Sequence, residues 1–87
     1  MNYEILWADK KVQKSFEALS VMVQKRIAKA IKALASNPHP KGVKKLDGKL
    51  KGAWRIRIGD YRLLYDIDDR KKIITLLYLG HRRHIYR

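Results

Sequence analysis

Residues 54–65 read WRIRIGDYRLLY, and this stretch leaves the chain few ways to fold. Apolar and polar side chains alternate with the period of a β-strand, and a Gly-Asp dipeptide interrupts the alternation near its middle. Glycine at the first central position of a two-residue loop suits a type II′ turn, whose twist matches that of the strands it joins. With Gly59-Asp60 as that loop, Ile58 faces Tyr61, Arg57 faces Arg62, Ile56 faces Leu63 and Arg55 faces Leu64. Trp54, Ile56, Ile58, Tyr61, Leu63 and Tyr65 then share the side that can pack against helices, and Arg55, Arg57 and Arg62 share the other. A four-residue loop preserves that partition, whereas one of three or five moves Arg62 across the sheet.

An arginine-rich side is costly for a hairpin. Like charges directly opposite one another destabilise a sheet by up to roughly 1 kcal/mol per pair. Asp66, on the same parity, offers partial compensation; otherwise the arrangement expects an anion. A solvated basic face that keeps the sheet soluble is the plain alternative. The whole chain tips the choice, because 21 Lys and Arg against 8 Asp and Glu give 87 residues a net charge of +13. Such a balance asks for nucleic acid, an acidic protein or an anionic membrane surface. The planar fork of donors on arginine suits phosphate.

The remaining residues supply what such a hairpin packs against. Tyr3, Ile5 and Trp7 alternate as a short strand, and Asp9 suits a helix N-cap. Val12, Phe16 and Leu19 make one apolar stripe, and Ser20 breaks or caps before a second helix. There Val23, Ile27, Ala30, Ile31 and Leu34 share a face, while Lys25, Lys29 and Lys32 share another, either as a solvated face or against a nucleic-acid backbone. SNPHPKG, residues 36–42, ends that helix because proline cannot continue it. The basic, glycine-punctuated segment 43–52 leads to strands expected over 53–58, 61–67 and 72–79. This order predicts a single α+β domain over 1–87: an N-terminal strand, a helical hairpin, then a three-stranded antiparallel meander, all in one mostly antiparallel sheet. There is no cysteine, which removes disulfides and thiolate metal sites. Without a signal-peptide pattern or a run of transmembrane length, the expectation is a cytoplasmic protein with no membrane partner.

The chain closes with GHRRHIYR, residues 80–87. Guanidinium stabilises charge but does not exchange protons; histidine does near neutrality, and tyrosine can where cations lower its pKa. Fixed cations beside proton carriers fit cleavage of RNA by its own 2′-hydroxyl. That reaction deprotonates the hydroxyl, stabilises the phosphorane and protonates the departing 5′-oxygen, with no metal or cofactor. A frayed basic terminus is the plain reading of the tail. Lys49, Lys51, Arg83 and His84 are candidates to bind RNA beside the arginine face. His39, between two prolines, reads as a turn residue, and Asp66–Asp69 as a strand end and turn. No glycine-rich phosphate loop or HExxH motif occurs, nor do paired carboxylates in a plausible cleft.

KKLDGKLKGAWRIRIGDYRLLYDID, residues 44–68, and LGHRRHIY, residues 79–86, resemble the RelE/ParE toxin superfamily of toxin–antitoxin systems, and its RelE branch in particular. The likeness runs over essentially the whole chain; its most specific parts are G-x-W-R-x-R-x-G-D-Y-R-x-x-Y and G-H-R-R-x-x-Y. It implies a RelE-like endoribonuclease, an mRNA interferase that cuts messenger RNA in the ribosomal A site. It also implies a tightly bound acidic antitoxin, in a heterotetramer or larger complex. By the same likeness Arg55 and Arg57 match basic strand positions that are often lysine, and Arg62 the arginine that contacts the scissile phosphate. Arg82 matches a second phosphate-stabilising arginine, Tyr86 the C-terminal tyrosine that stacks on or orients a base, His81 a basic position and Arg83 a neighbour in the set. Arginine at 55 and 57 cannot serve easily as a general base where relatives use lysine, which leaves His81, His84 or Tyr86 to carry protons. Longer relatives also continue past the tyrosine into a further helix. The ParE branch, whose members bind DNA gyrase without nuclease activity, shares the fold but generally lacks the full Arg62, Arg82, Tyr86 set. A basic RNA-binding or ribosome-associated module without chemistry is the third reading.

Overall fold

Both helices begin where a side-chain oxygen meets a helix N-terminus. The computed structural model describes residues 2–40, 43–46 and 52–81. After strand β1 (Glu4–Trp7), the Asp9 carboxylate accepts from the Val12 N–H at 3.0 Å and starts helix α1 (Lys10–Glu17). The Ser20 hydroxyl accepts from the Val23 N–H at 3.3 Å and starts helix α2 (Val21–Ser36). Each cap satisfies an otherwise orphaned backbone donor, which contributes about 1 kcal/mol. Beyond α2, Asn37 Oδ1 accepts from the His39 N–H at 3.1 Å, so His39 sits in the expected turn, and its ring meets Trp54 edge-on at 4.7 Å.

Four further strands follow: β2 (Lys44–Lys45), β3 (Trp54–Ile58), β4 (Tyr61–Asp68) and β5 (Ile73–His81). They form a five-stranded sheet with β1, in the order β1-β5-β4-β3-β2. The meander β3–β4–β5 is antiparallel, and β1 joins β5 in parallel, with Glu4 opposite Ile73 and Trp7 opposite Leu76. The helical hairpin and strands β2 to β4 all lie between β1 and β5 in the chain, a connection long enough to bring the two side by side in parallel. One side of the sheet buries Ile58, Leu63, Tyr65, Ile74, Leu76 and Leu79 against Val12, Ile27 and Leu34, with Tyr3, Ile5, Trp7 and Phe16 packed around them.

Two details depart from the expected layout. The sheet has a fifth strand, β2, which pairs Lys44 with Arg55 and Lys45 with Trp54. Two exposed lysines carry no apolar periodicity; the Lys45 ammonium lies 5.5 Å from the Trp54 ring centroid. The last strand also runs on to His81 and carries a β-bulge: Tyr65 pairs with Leu76 and Leu64 with Tyr78, which leaves Leu77 as the extra residue. The bulge resets the alternation, so Leu76 and Leu79 both reach the core.

The β4–β5 connection is pinned by Asp68, whose carboxylate accepts from the Arg70 and Lys71 N–H groups at 3.1 and 3.0 Å. At the centre of the core the Tyr65 hydroxyl donates to the Pro38 carbonyl at 2.9 Å, and burial pushes its pKa up to about 12. Among the described residues no helix is long and apolar enough to cross a membrane.

Candidate nucleic-acid interface

The side of the sheet away from the helices is set by the β3–β4 turn. Gly59 has φ +62°, while Asp60 stays at negative φ. This is the type II′ pattern, with the positive angle at the first central residue only. The register is the one read from the alternation: Ile58 opposite Tyr61, Arg57 opposite Arg62, Ile56 opposite Leu63, Arg55 opposite Leu64 and Trp54 opposite Tyr65. Arg57 and Arg62 are one step from the turn, the non-hydrogen-bonded pair of a two-residue hairpin, where facing side chains approach most closely. Arg57 is exposed, Arg55 half-buried, and Arg62 only 6% exposed.

The neighbouring strand supplies part of the surroundings of Arg62. Gly80 is its partner on β5, and Tyr78 is the partner of Leu64. A methyl group at position 80 would lie 2.7 Å from the Tyr78 hydroxyl oxygen and 2.8 Å from Cε2. The Tyr78 ring therefore leans along its own strand and covers the glycine beside Arg62. Glycine leaves room there for the Tyr78 ring, and no positive backbone angle demands it.

Arg55, Arg57 and Arg62 are thus brought together on one side. His81 goes elsewhere. It pairs with Tyr61, and the two rings meet edge-on at 5.5 Å on the helix side of the sheet. Asp66 lies on the arginine side of β4, opposite Thr75. The other candidates, Lys49, Lys51, Arg82, Arg83, His84 and Tyr86, lie outside the described residues.

Two further residues border this region and were not anticipated. Arg26 reaches from α2 to the hairpin tip, with Nη1 3.3 Å from where a Cβ on Gly59 would stand. That proximity depends on how α2 lies across the sheet and has no local sequence signal. Tyr78 was hidden by the bulge, since the alternation along IITLLYLGH does not reveal which of Leu76 and Leu77 is the extra residue. Among the described residues no three histidine, aspartate or glutamate side chains cluster as a metal site.

Residues 8–86 match the family model described as the ParE toxin of type II toxin–antitoxin systems, parDE. The chain belongs to the RelE/ParE toxins. Solved structures of RelE toxins are among its neighbours. The archaeal RelE of the RelE–RelB complex from Pyrococcus horikoshii is 30% identical, with a TM-score of 0.81 over 97% of this chain and 99% of that one. The toxin–antitoxin complex RelBE2 from Mycobacterium tuberculosis gives 26% identity and a TM-score of 0.81, over 94% of this chain and 100% of that one. The toxin RelG of M. tuberculosis is 46% identical over 44 residues, a match that spans about half of each chain, 51% of this toxin and 51% of RelG.

Proposed function

We propose that this RelE/ParE toxin is a ribosome-dependent endoribonuclease that cuts messenger RNA in the A site and so halts translation. The observation that carries the reading is Arg62, a residue only 6% exposed and opposite Arg57 on the sheet side turned from the helices. Two guanidinium groups on facing positions can both donate charge-assisted hydrogen bonds to one phosphate.

In the proposed reaction the 2′-oxygen loses its proton to a base and attacks the adjacent phosphorus. The bond from phosphorus to the 5′-oxygen then breaks, and that oxygen takes up a proton. The products are a 2′,3′-cyclic phosphate and a 5′-hydroxyl. Arg62, Arg57 and Arg82 stabilise the charge on the phosphorane, which fixed donors do best when they are organised before reaction. Arg55, Lys49, Lys51 and Arg83 neutralise neighbouring phosphates. Because His81 shares a face with Tyr61, proton transfer falls to His84 and Tyr86. No cofactor or metal enters this scheme.

A cognate antitoxin, acidic to match the charge of +13, holds the toxin inactive in a heterotetramer or larger assembly. The solved complexes RelE–RelB and RelBE2 support such a partner. A second reading, a ParE-like inhibitor of DNA gyrase without nuclease activity, is favoured by the description of the matched family model. The arginine face and the G-H-R-R-x-x-Y tail weigh against it.

The test is translation in a cell-free system with primer extension on the message, for wild type, Arg62→Ala and Arg82→Ala. Codon-phased cuts that fade in both variants support the nuclease. Absence of cuts in wild type, or equal cutting by both variants, refutes it, and gyrase-linked DNA breaks would establish the second reading.

A further inference from the structure

The proposed reaction uses cations and proton carriers but leaves one side chain on the same side of the sheet without a role. Tyr78 is the aromatic residue on that side among the described residues, and 38% of its surface stays exposed. Its ring lies against the backbone of Gly80, the residue opposite Arg62 on the neighbouring strand. A cross-strand Cβ pair is separated by about 5 Å, and the Tyr78 oxygen is 2.7 Å from the position a Gly80 Cβ would take, so the phenol ends within roughly 8 Å of the Arg62 Cβ. Tyr78 and Arg62 are therefore neighbours across adjacent strands on one side of the sheet.

Resting on the ribonuclease reading, we infer that Tyr78 is a base-stacking residue, which holds a nucleobase next to the phosphate seated on Arg57 and Arg62. Two features of the arrangement support the assignment. A face of cations interleaved with an aromatic ring is how proteins grip single-stranded nucleic acid, with the cations tracking the backbone and the ring accepting a base. In addition, the absence of a Cβ at position 80 lets the ring lie down on the strand, so it is organised before RNA arrives and little freedom is lost on binding. Covering a glycine is a packing task, and its loss is read in the melting temperature. Stacking needs a π-face. The two roles therefore separate by substitution.

The probe is a ribosome complex whose A-site codon carries 2-aminopurine beside the cut position and a 2′-deoxy nucleotide that blocks cleavage; an all-ribose message reports turnover in parallel. Stacking on an aromatic ring quenches the fluorophore. Wild type and Tyr78→Phe are expected to quench it, whereas Tyr78→Leu and Tyr78→Met leave it bright and weaken binding roughly ten-fold, with melting temperatures close to wild type. Two apolar replacements guard against a fold defect peculiar to one of them. If wild type cleaves the all-ribose message and the Leu and Met variants quench and cleave as it does, the stacking role is overturned and the nuclease reading stands. If wild type does not cleave on the ribosome, the nuclease reading fails and the stacking role falls with it.

Discussion

Arg57→Glu should make this protein more stable and less active, and the size of the gain follows from the hairpin register. Arg57 and Arg62 face one another in a non-hydrogen-bonded pair. Guanidinium groups within about 6 Å repel by roughly 0.7 kcal/mol in a water-like dielectric, the appropriate choice for an exposed Arg57. Glutamate replaces that repulsion with an attraction of similar size, less the entropy of holding two long side chains together, a net gain of about 1 kcal/mol. In a domain of this size that raises the melting temperature by roughly 4–8 °C. The assay is thermal unfolding followed by circular dichroism in low salt, alongside Arg57→Gln, which removes the repulsion alone and should give about half the rise. In 1 M salt, where the Debye length is about 3 Å, most of the difference should vanish. Message cleavage should fall for both variants. A Glu variant that melts at or below wild type in low salt, or a gain indifferent to salt, would refute the idea that Arg57 and Arg62 repel across the hairpin.

Three other substitutions test separate parts of the structure. Tyr65→Phe removes the buried hydrogen bond to the Pro38 carbonyl and should cost about 1–2 kcal/mol by urea unfolding at neutral pH. The same hydroxyl keeps its proton in the fold to about pH 12 but loses it near 10 when unfolded, so its contribution is full below pH 10 and declines as pH rises towards 12; the Phe variant should lose less stability over that window. Gly80→Ala pushes a methyl into the Tyr78 ring and should reduce message cleavage several-fold with little change in melting temperature; unchanged cleavage would show that the ring's position is irrelevant. Asp9→Ala should cost about 1 kcal/mol by loss of the α1 cap, whereas Asp9→Asn or Asp9→Ser should recover most of it.

The β3–β4 hairpin was legible because strict alternation and a Gly-Asp turn leave a single register in which six apolar side chains share a side. The helix starts were legible for a similar reason: Asp9 and Ser20 stand just before apolar stripes of helical period. What stayed hidden has no local period. Strand β2 is two lysines that pair only because β3 is already in place. The bulge at Leu77 lies in a run of adjacent leucines, where nothing in the pattern marks the extra residue. That one residue decides the faces of Tyr78 and His81. Alternation also assigns Arg62 to a side but carries no information on depth, so its burial emerged only in three dimensions. The contact of Arg26 with the hairpin tip likewise belongs to the packing of α2.

On the proposed function the arginine face seats a phosphate undergoing attack by its own 2′-hydroxyl, and the fragments of a cut message record whether that happens. Messages cleaved on ribosomes by wild-type toxin should carry a 2′,3′-cyclic phosphate on the upstream fragment and a 5′-hydroxyl on the downstream one, with Arg62→Ala yielding far fewer of both. A 5′-phosphate on the downstream fragment, or undiminished cutting at a 2′-deoxy nucleotide, would contradict it.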